Sequence, residues 1–499
     1  MYALCKLHDM QCEENPFHGS ADVARWIEWG FEYWISLQHP DGAFDEAYPN
    51  ERCLAATAFT AFYLGSAYLL WRERLPKALQ DRLETAFAKA GGWLCNNDET
   101  HGILSNHLAV AVAALEILAR ICKREEFSAR ARFFLDRIFF HQSKEGWMKE
   151  YDGADIGYGT HGFFYLAEYW RLTQCPNTYE ALTRFAEFLA YFVHPDGTIG
   201  GEYSSRNTEF FYSAGFEILA GHCSHSRAVA MAMRGSIASR RVCGVWAMDS
   251  FNFMPMLNNL LFANDAAREW GSAESLPWKR PPFSIYFDQS GLWIINREKF
   301  YAIVGLSKGG TVSVFDKEKQ RIAARHAGHY LTWKGRIYAS QDYSLNPPAV
   351  WGADRNEVTL NVPWKSVSRT AFTPLMFLCF RMFTLTLGRF PAVSRWVKRL
   401  LVAVLINRKK HPPVMHSRTI RVAGDGIVLE DQIDLPDSVT NLTVAAQFTA
   451  VHMGSSMYCD ARAPQGSSEM QEIATEGCRK LSLTGYLSLA DNRWLRRVA

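Results

Sequence analysis

His39-Pro-Asp-Gly-Ala-Phe-Asp-Glu46 returns, with small changes, as His194-Pro-Asp-Gly-Thr-Ile-Gly-Gly-Glu202. Each copy follows a stretch with apolar residues at helical spacing, and Pro-Asp-Gly stops a helix and turns the chain. His141-Gln-Ser-Lys-Glu-Gly146 and Glu99-Thr-His-Gly102 are looser copies. The turn glycines stand at 42, 102, 146 and 197, with gaps of 60, 44 and 51. One turn in about 50 residues is the mark of stacked helical hairpins. Hairpins of that length can close into a ring, which predicts an (α/α) toroid with the recurring turns at one end.

The stretches between the turns agree. Helical periodicity runs through Ala21–Gln38, Leu54–Trp71, Leu79–Leu94, Leu104–Ile121, Phe127–Phe140, Phe163–Leu172, Tyr179–Phe192 and Phe210–Ala220. Alanine and aromatics dominate there, and β-branched runs are few, as helix-on-helix packing requires. The toroid is therefore assigned to residues 1–270. A polar, Pro-rich stretch from Asn264 to Phe283 reads as a linker. Beyond it, Gly291-Leu-Trp-Ile-Ile-Asn, Phe300-Tyr-Ala-Ile-Val-Gly-Leu and Thr311-Val-Ser-Val-Phe read as strands. The fold class is then α+β and multidomain, with residues 281–499 an antiparallel β-sandwich.

The 499 residues carry 54 Lys plus Arg against 51 Asp plus Glu, a net charge of +3, with 48% hydrophobic and 21% charged residues. That is a globular composition, and its near-neutral balance excludes a dedicated nucleic-acid binder. The charge is uneven. Arg389 to Lys410 holds seven basic residues and no acid, so the remainder sums to 3 − 7 = −4. An apolar run, Ala371 to Gly388, stands directly before it. Residues 371–410 read as an apolar and basic helical insertion, an interfacial pair touching an anionic membrane surface. A buried hairpin is the other reading. The N-terminus lacks an apolar signal core, and the 11 Cys are scattered without zinc spacing. The expected compartment is the cytoplasm, with peripheral contact at the inner membrane face.

Polar residues gather at the turn end of the predicted ring. They fall in Ser105-Asn106-His107, in Glu150-Tyr151-Asp152-Gly-Ala-Asp155-Ile-Gly-Tyr158-Gly-Thr-His161, and in Glu202-Tyr203-Ser-Ser-Arg206-Asn207-Thr208-Glu209. A fourth group, Arg325-His326-Ala-Gly-His329-Tyr330, opens the β region. Helix capping accounts for single Asp and Asn residues in such turns. It does not account for the recurrence of Tyr, His and Glu.

With Asn106-His107 at a helix start, the Asp152-Gly-Ala-Asp155…Tyr158…His161 run and the His-rich turn, the chain resembles the heparinase II/III-like polysaccharide lyases. The resemblance covers most of the chain at the level of architecture. It implies a β-eliminating lyase that removes the C5 proton of a uronic acid in an acidic polysaccharide. The uronate carboxylate needs a neutralising donor, for which Asn106, His107 and Arg206 are the candidates; the resemblance assigns Asn106 to it, Tyr158 as base and acid, and His326 or His329 to the opposite face, with His107 a further catalytic candidate. Glu150, Tyr151, Asp152, His161, Glu202, Arg206, Asn207 and Glu209 are the candidate substrate-binding residues. The family's run holds more residues between its Asp-Gly and its Tyr-His pair, so Tyr151 stays open as the functional tyrosine. No cofactor is expected. His326 and His329 also read as part of a structural zinc site such as some relatives carry, although His-x-x-His alone does not define one. A uronate C5-epimerase shares the first chemical step and suits a chain without a signal peptide. A non-catalytic glycan-binding or assembly protein is the third reading.

Overall fold

The computed structural model describes the chain except residues 100–101, 152, 249, 345–346, 368–372, 391, 395, 398–410, 438, 440, 446–470, 476–477, 491 and 498–499. Helices alternate between an inner and an outer layer. Leu54–Trp71, Ser105–Cys122 and Ile156–Thr173 pack side by side as inner helices and are buried almost throughout. Ala21–Leu37, Lys77–Asn96, Glu125–His141 and Pro176–Ala190 bury one face only and lie outside them. The sequence explains the division. Ala109, Ala111, Ala113 and Ala114 are all 0% exposed, and small side chains let inner helices approach closely. Ala214–Leu219, Ser224–Ala238 and Ser250–Ala266 continue the series. Tyr2–Asp9 closes it, with Tyr2 stacked on Phe262 at 4.0 Å and Lys6 paired to Asp265 at 2.6 Å.

The recurring turns need glycine. Gly42 and Gly146 have φ of 98° and 103°, and a Cβ there would lie 2.2 Å from the Lys89 carbonyl oxygen and 2.3 Å from that of Arg184. The turn thus docks onto the next outer helix, which fixes the hairpin pitch.

Two helix boundaries differ from the periodicity. The helix expected from Phe163 begins at Ile156, because Asp155 caps it. The helix expected from Phe210 is only Ala214–Leu219. Phe210 instead bridges Cys243, and the Tyr212 amide donates to the Thr160 hydroxyl at 3.0 Å.

Among the described residues three antiparallel sheets follow. The first runs Phe283–Phe287, Leu292–Asn296, Phe300–Gly305, Thr311–Asp316 and Arg321–His326 as a meander. It is covered on both faces. Ile294, Tyr301, Ile303 and Phe315 join the toroid core, while Trp293, Ile295, Ala302, Val304 and Val314 join a second core. Double burial is why these strands read as apolar runs rather than alternating ones. The second core also takes Ile420, Ile427, Leu429, Leu481 and Leu483 from a six-stranded sheet built on Met415–Ala423, Gly426–Asp434 and Lys480–Ser488. The third sheet centres on His329–Trp333, between Arg336–Ala339 and Asn441–Val444.

The insertion falls between Lys365–Ser366 and Met415–Ala423. Among the described residues its apolar run forms a helix at Pro374–Leu385, capped by Thr373, and then a turn at Leu387–Arg389. Twelve residues span about 18 Å, short of the roughly 30 Å hydrocarbon core of a bilayer. The second helix of the expected pair falls mainly on 398–410, outside the described residues. Among the described residues two helices are long and apolar enough to cross a membrane, Leu54–Arg74 and Ser105–Cys122, and both are mostly buried in the toroid.

Candidate active site

A short antiparallel pair, Lys149–Glu150 with Gly153–Ala154, sits on the toroid's turn end. Glu150 bridges Leu104, just before the helix that starts at Ser105, and the Ser105 hydroxyl donates to the Lys149 carbonyl at 2.7 Å. That pairing brings Glu150 onto Asn106. The Asn106 backbone amide donates to one Glu150 oxygen at 2.8 Å, and its side-chain Nδ2 donates to the other at 2.7 Å. One helix further on, a Cβ at Gly162 would lie 3.3 Å from the Asn106 Cα, so glycine lets the two inner helices approach closely here without crowding.

Asp155 organises the facing side. Its carboxylate accepts from the Tyr158 amide at 2.9 Å, the Arg206 amide at 3.0 Å, the Ser204 hydroxyl at 3.2 Å and the Thr208 hydroxyl. A helix cap and a loop clamp are thus one group. The clamp sets Arg206 at 3.4 Å from Glu150, with its guanidinium 3.6 Å from the Tyr158 ring centre and 5.0 Å from that of Tyr151. Asn106, Glu150, Arg206, Tyr158 and Tyr151 therefore form one continuous group. Tyr151 adopts φ 58°, a left-handed conformation rare for a bulky residue and common at functional sites.

Glu150 is fully buried, and burial pushes its carboxyl up to about 7, although Arg206 and the Asn106 amide pull it down. Burial also raises the Tyr151 phenol, while Arg206 opposes the shift. His107 has Nδ1 2.9 Å from a Glu99 carboxylate oxygen. The contact with Glu99 fixes the ring at Nδ1 and leaves Nε2 as the edge turned away from the carboxylate. His107 is a quarter exposed while Glu99 is buried, the arrangement of a held base at a cleft. Glu99 was not among the expected site residues; an acid eight positions before a helix-start histidine was the available signal.

His161 lies one turn beyond Tyr158, between Phe59 and Tyr212 rings at 5.3 and 4.1 Å, with Nε2 2.9 Å from the Tyr165 hydroxyl. Burial lowers its pKa to about 3, so it is a neutral supporting residue of the wall. Glu202, Asn207 and Glu209 form the seam with the β region. Gln341 accepts from Asn207 at 2.9 Å and donates to Glu202 at 3.0 Å, and Glu209 stands 3.8 Å from Arg325. Asp152 lies outside the described residues. A cavity of about 980 Å³ opens beside the site, sharing Glu99 and lined further by Arg52, Trp93, Arg124 and Ser394.

His326 and His329 are not at this site. They are 0% and 1% exposed inside the β region, which overturns the expectation that one of them faces the substrate. The fully buried Arg418 holds both. Its guanidinium lies 2.8 Å from each Nε2 and donates to Asp431 at 2.6 and 2.8 Å. His416 completes the cluster, 3.0 Å from Asp431. Donor atoms of His329, His416 and Asp431 lie within 4.8 Å of one another, a spacing a metal could use. The residues nevertheless do not fit a zinc ion, because the guanidinium already occupies the carboxylate and two imidazoles. A divalent ion would add two charges against a buried third.

Residues 1–215 match the family model of the ulvan lyase N-terminal domain. No curated protein sequence matches the chain. Among solved structures it is similar to the Streptomyces coelicolor A3 chondroitin AC lyase in complex with chondroitin sulphate, with TM-score 0.56 and 11% identity, covering 89% of this chain and 63% of that one. It is similar to Paenibacillus xanthan lyase with TM-score 0.55 and 9% identity, over 89% of this chain and 42% of that one. For heparinase III the TM-score is 0.51 at 12% identity, over 88% and 62%. The chain thus spans between 42% and 63% of the length of these structures. At such identity the likeness is one of fold: a helical toroid followed by antiparallel sheets.

Proposed function

From the fold, which is that of the (α/α)-toroid polysaccharide lyases, we propose that the chain is a β-eliminating lyase of a uronate-containing polysaccharide. The observation that carries the reading is the single constellation of Asn106, His107, Tyr158 and Arg206 at the turn end, braced by Glu150, Glu99 and Asp155. Removing the C5 proton of a uronate is hard because the adjacent carboxylate is already negative. Asn106 and Arg206 are fixed donors that neutralise it as charge builds. Tyr158, beside a permanent cation, takes the C5 proton and returns it to O4 as the glycosidic bond breaks. His107, held by Glu99 and partly exposed, is the second proton-transfer group.

Ulvan, named by the matching family model, heads the substrates to assay, with chondroitin sulphate and xanthan beside it. Elimination leaves an unsaturated uronate, so ultraviolet absorbance should rise with turnover. Deuterium entering C5 from heavy water without cleavage would replace the lyase with an epimerase. Neither signal on any uronan would leave a glycan-binding protein.

Glu150 gives this reading a pH dependence. It holds Asn106 and Arg206 as a carboxylate, and its pKa in the fold is about 7. Turnover should therefore rise with pH through about 7. Stability runs the other way. A carboxyl raised from 4.5 to about 7 stabilises the fold most below 4.5 and loses that contribution as pH rises through about 7. Glu150→Gln should flatten the acid limb of kcat/KM and cost about a hundredfold by loosening Asn106. An unchanged pH profile in that variant would remove Glu150 from the positioning role.

A further inference from the structure

The helix Pro374–Leu385 is held on one side only. Phe380 packs edge-on against Tyr48 at 5.1 Å, and the Thr384 carbonyl accepts from Asn50 at 3.2 Å. Further along, the Ser394 hydroxyl donates to the Asn50 carbonyl at 3.3 Å. The segment is thereby fixed to the toroid's turn end. The segment also carries Leu375, Phe377, Leu378, Met382, Phe390 and Trp396, between 56% and 69% exposed. A surface of that size and character marks an interaction site.

Charge selects the partner. Residues 371–410 hold eight Lys and Arg (Arg381 and the seven from Arg389 to Lys410) and no acid. Two copies meeting through this segment would set like charge against like charge, which disfavours a self-paired face. An anionic lipid surface accepts both features, because leucine, phenylalanine and tryptophan enter the acyl boundary while arginine and lysine meet the headgroups. The 12-residue helix is too short to span but suited to lie flat. We infer that the exposed apolar surface of the helix Pro374–Leu385 docks the protein on an anionic membrane leaflet, with the cavity bearing Ser394 at the toroid's turn end held close to the surface. The inference goes beyond the proposed lyase reaction and stands without it.

Vesicle flotation of the full chain tests it. Vesicles containing phosphatidylglycerol should carry the protein, those of phosphatidylcholine alone should not, and added salt should release it. Phe377→Asp combined with Leu378→Asp should lower the vesicle partition by about a hundredfold and leave the thermal midpoint and circular dichroism unchanged. Three results would overturn the inference. The wild-type chain could fail to float with either vesicle. The double variant could float as well as wild type. The wild-type chain could instead form a dimer that the double variant dissolves, without floating, which would assign the patch to a second copy.

Discussion

Tyr158→Phe should abolish eliminase turnover while leaving the fold in place. The ring keeps its edge-on contact with Phe210 at 5.0 Å and its place against Arg206, so packing survives the change. Only the hydroxyl goes, and with it the group that moves a proton. Positioned acid–base groups contribute about 10² to 10⁴ in rate, so kcat should fall about a thousandfold with KM little altered. Asn106→Ala should lose about 10² to 10³ for a different reason, the loss of a fixed donor to the substrate carboxylate. It also strips Glu150 of one of its two side-chain partners, so its pH profile should shift where that of Tyr158→Phe does not. Tyr151→Phe is the control. Tyr151 shares Arg206 but sits on a left-handed backbone between the short strands. Full activity in Tyr158→Phe with none in Tyr151→Phe would exchange their roles, and wild-type rates in both would remove tyrosine from the chemistry. Glu99→Gln should cost less than His107→Ala, because the first disturbs the imidazole's orientation and the second removes the imidazole.

The toroid was legible because its repeat is local. Each Pro-Asp-Gly turn ends one helix and docks on the next, so the period of about 50 residues survives in one dimension. The gathering of Asn106, Glu150, Tyr158 and Arg206 was legible for the same reason, since recurring turns at one end must share a face. What the sequence concealed was which histidines reach the cleft. His326 and His329 stand in a turn-like run with two small residues between them, which resembles an exposed loop. They are buried because Arg418 and Asp431, about a hundred residues later, pair across the neighbouring sheet. Glu99 was hidden similarly: its turn resembled a weak copy of the others, and only the fold shows its carboxylate turned onto His107.

Arg418→Met should unfold the β region or nearly so. The methionine fills a similar length of space, so the effect isolates charge and hydrogen bonding. Arg418 is 0% exposed and satisfies Asp431, two histidines and the carbonyls of Gly309 and Gly310 at 3.0 and 3.1 Å. Removing it leaves the Asp431 carboxylate buried without its cation, a loss of about 3–5 kcal/mol. Against a total stability of about 5–15 kcal/mol, that is a large fraction. Arg418→Lys should recover part of it, because a point charge replaces the cation but not the two-pronged bond to Asp431. Zinc separates this account from a metal site. A chelator should leave the wild-type unfolding midpoint unchanged. In Arg418→Ala the donors of His329, His416 and Asp431 remain and the competing cation is gone, so added zinc should raise the midpoint. Wild-type protein that carries one zinc per chain and loses stability to the chelator would refute the role given to Arg418. Acid supplies a second check. Burial lowers His329 from 6.5 to about 4, and lowers His326 and His416 as well. Groups depressed in the fold contribute stability that is complete above about 6.5 and lost as pH falls through about 4. The wild-type midpoint should therefore drop as pH falls across that window, because the unfolded imidazoles take up protons that the folded ones refuse.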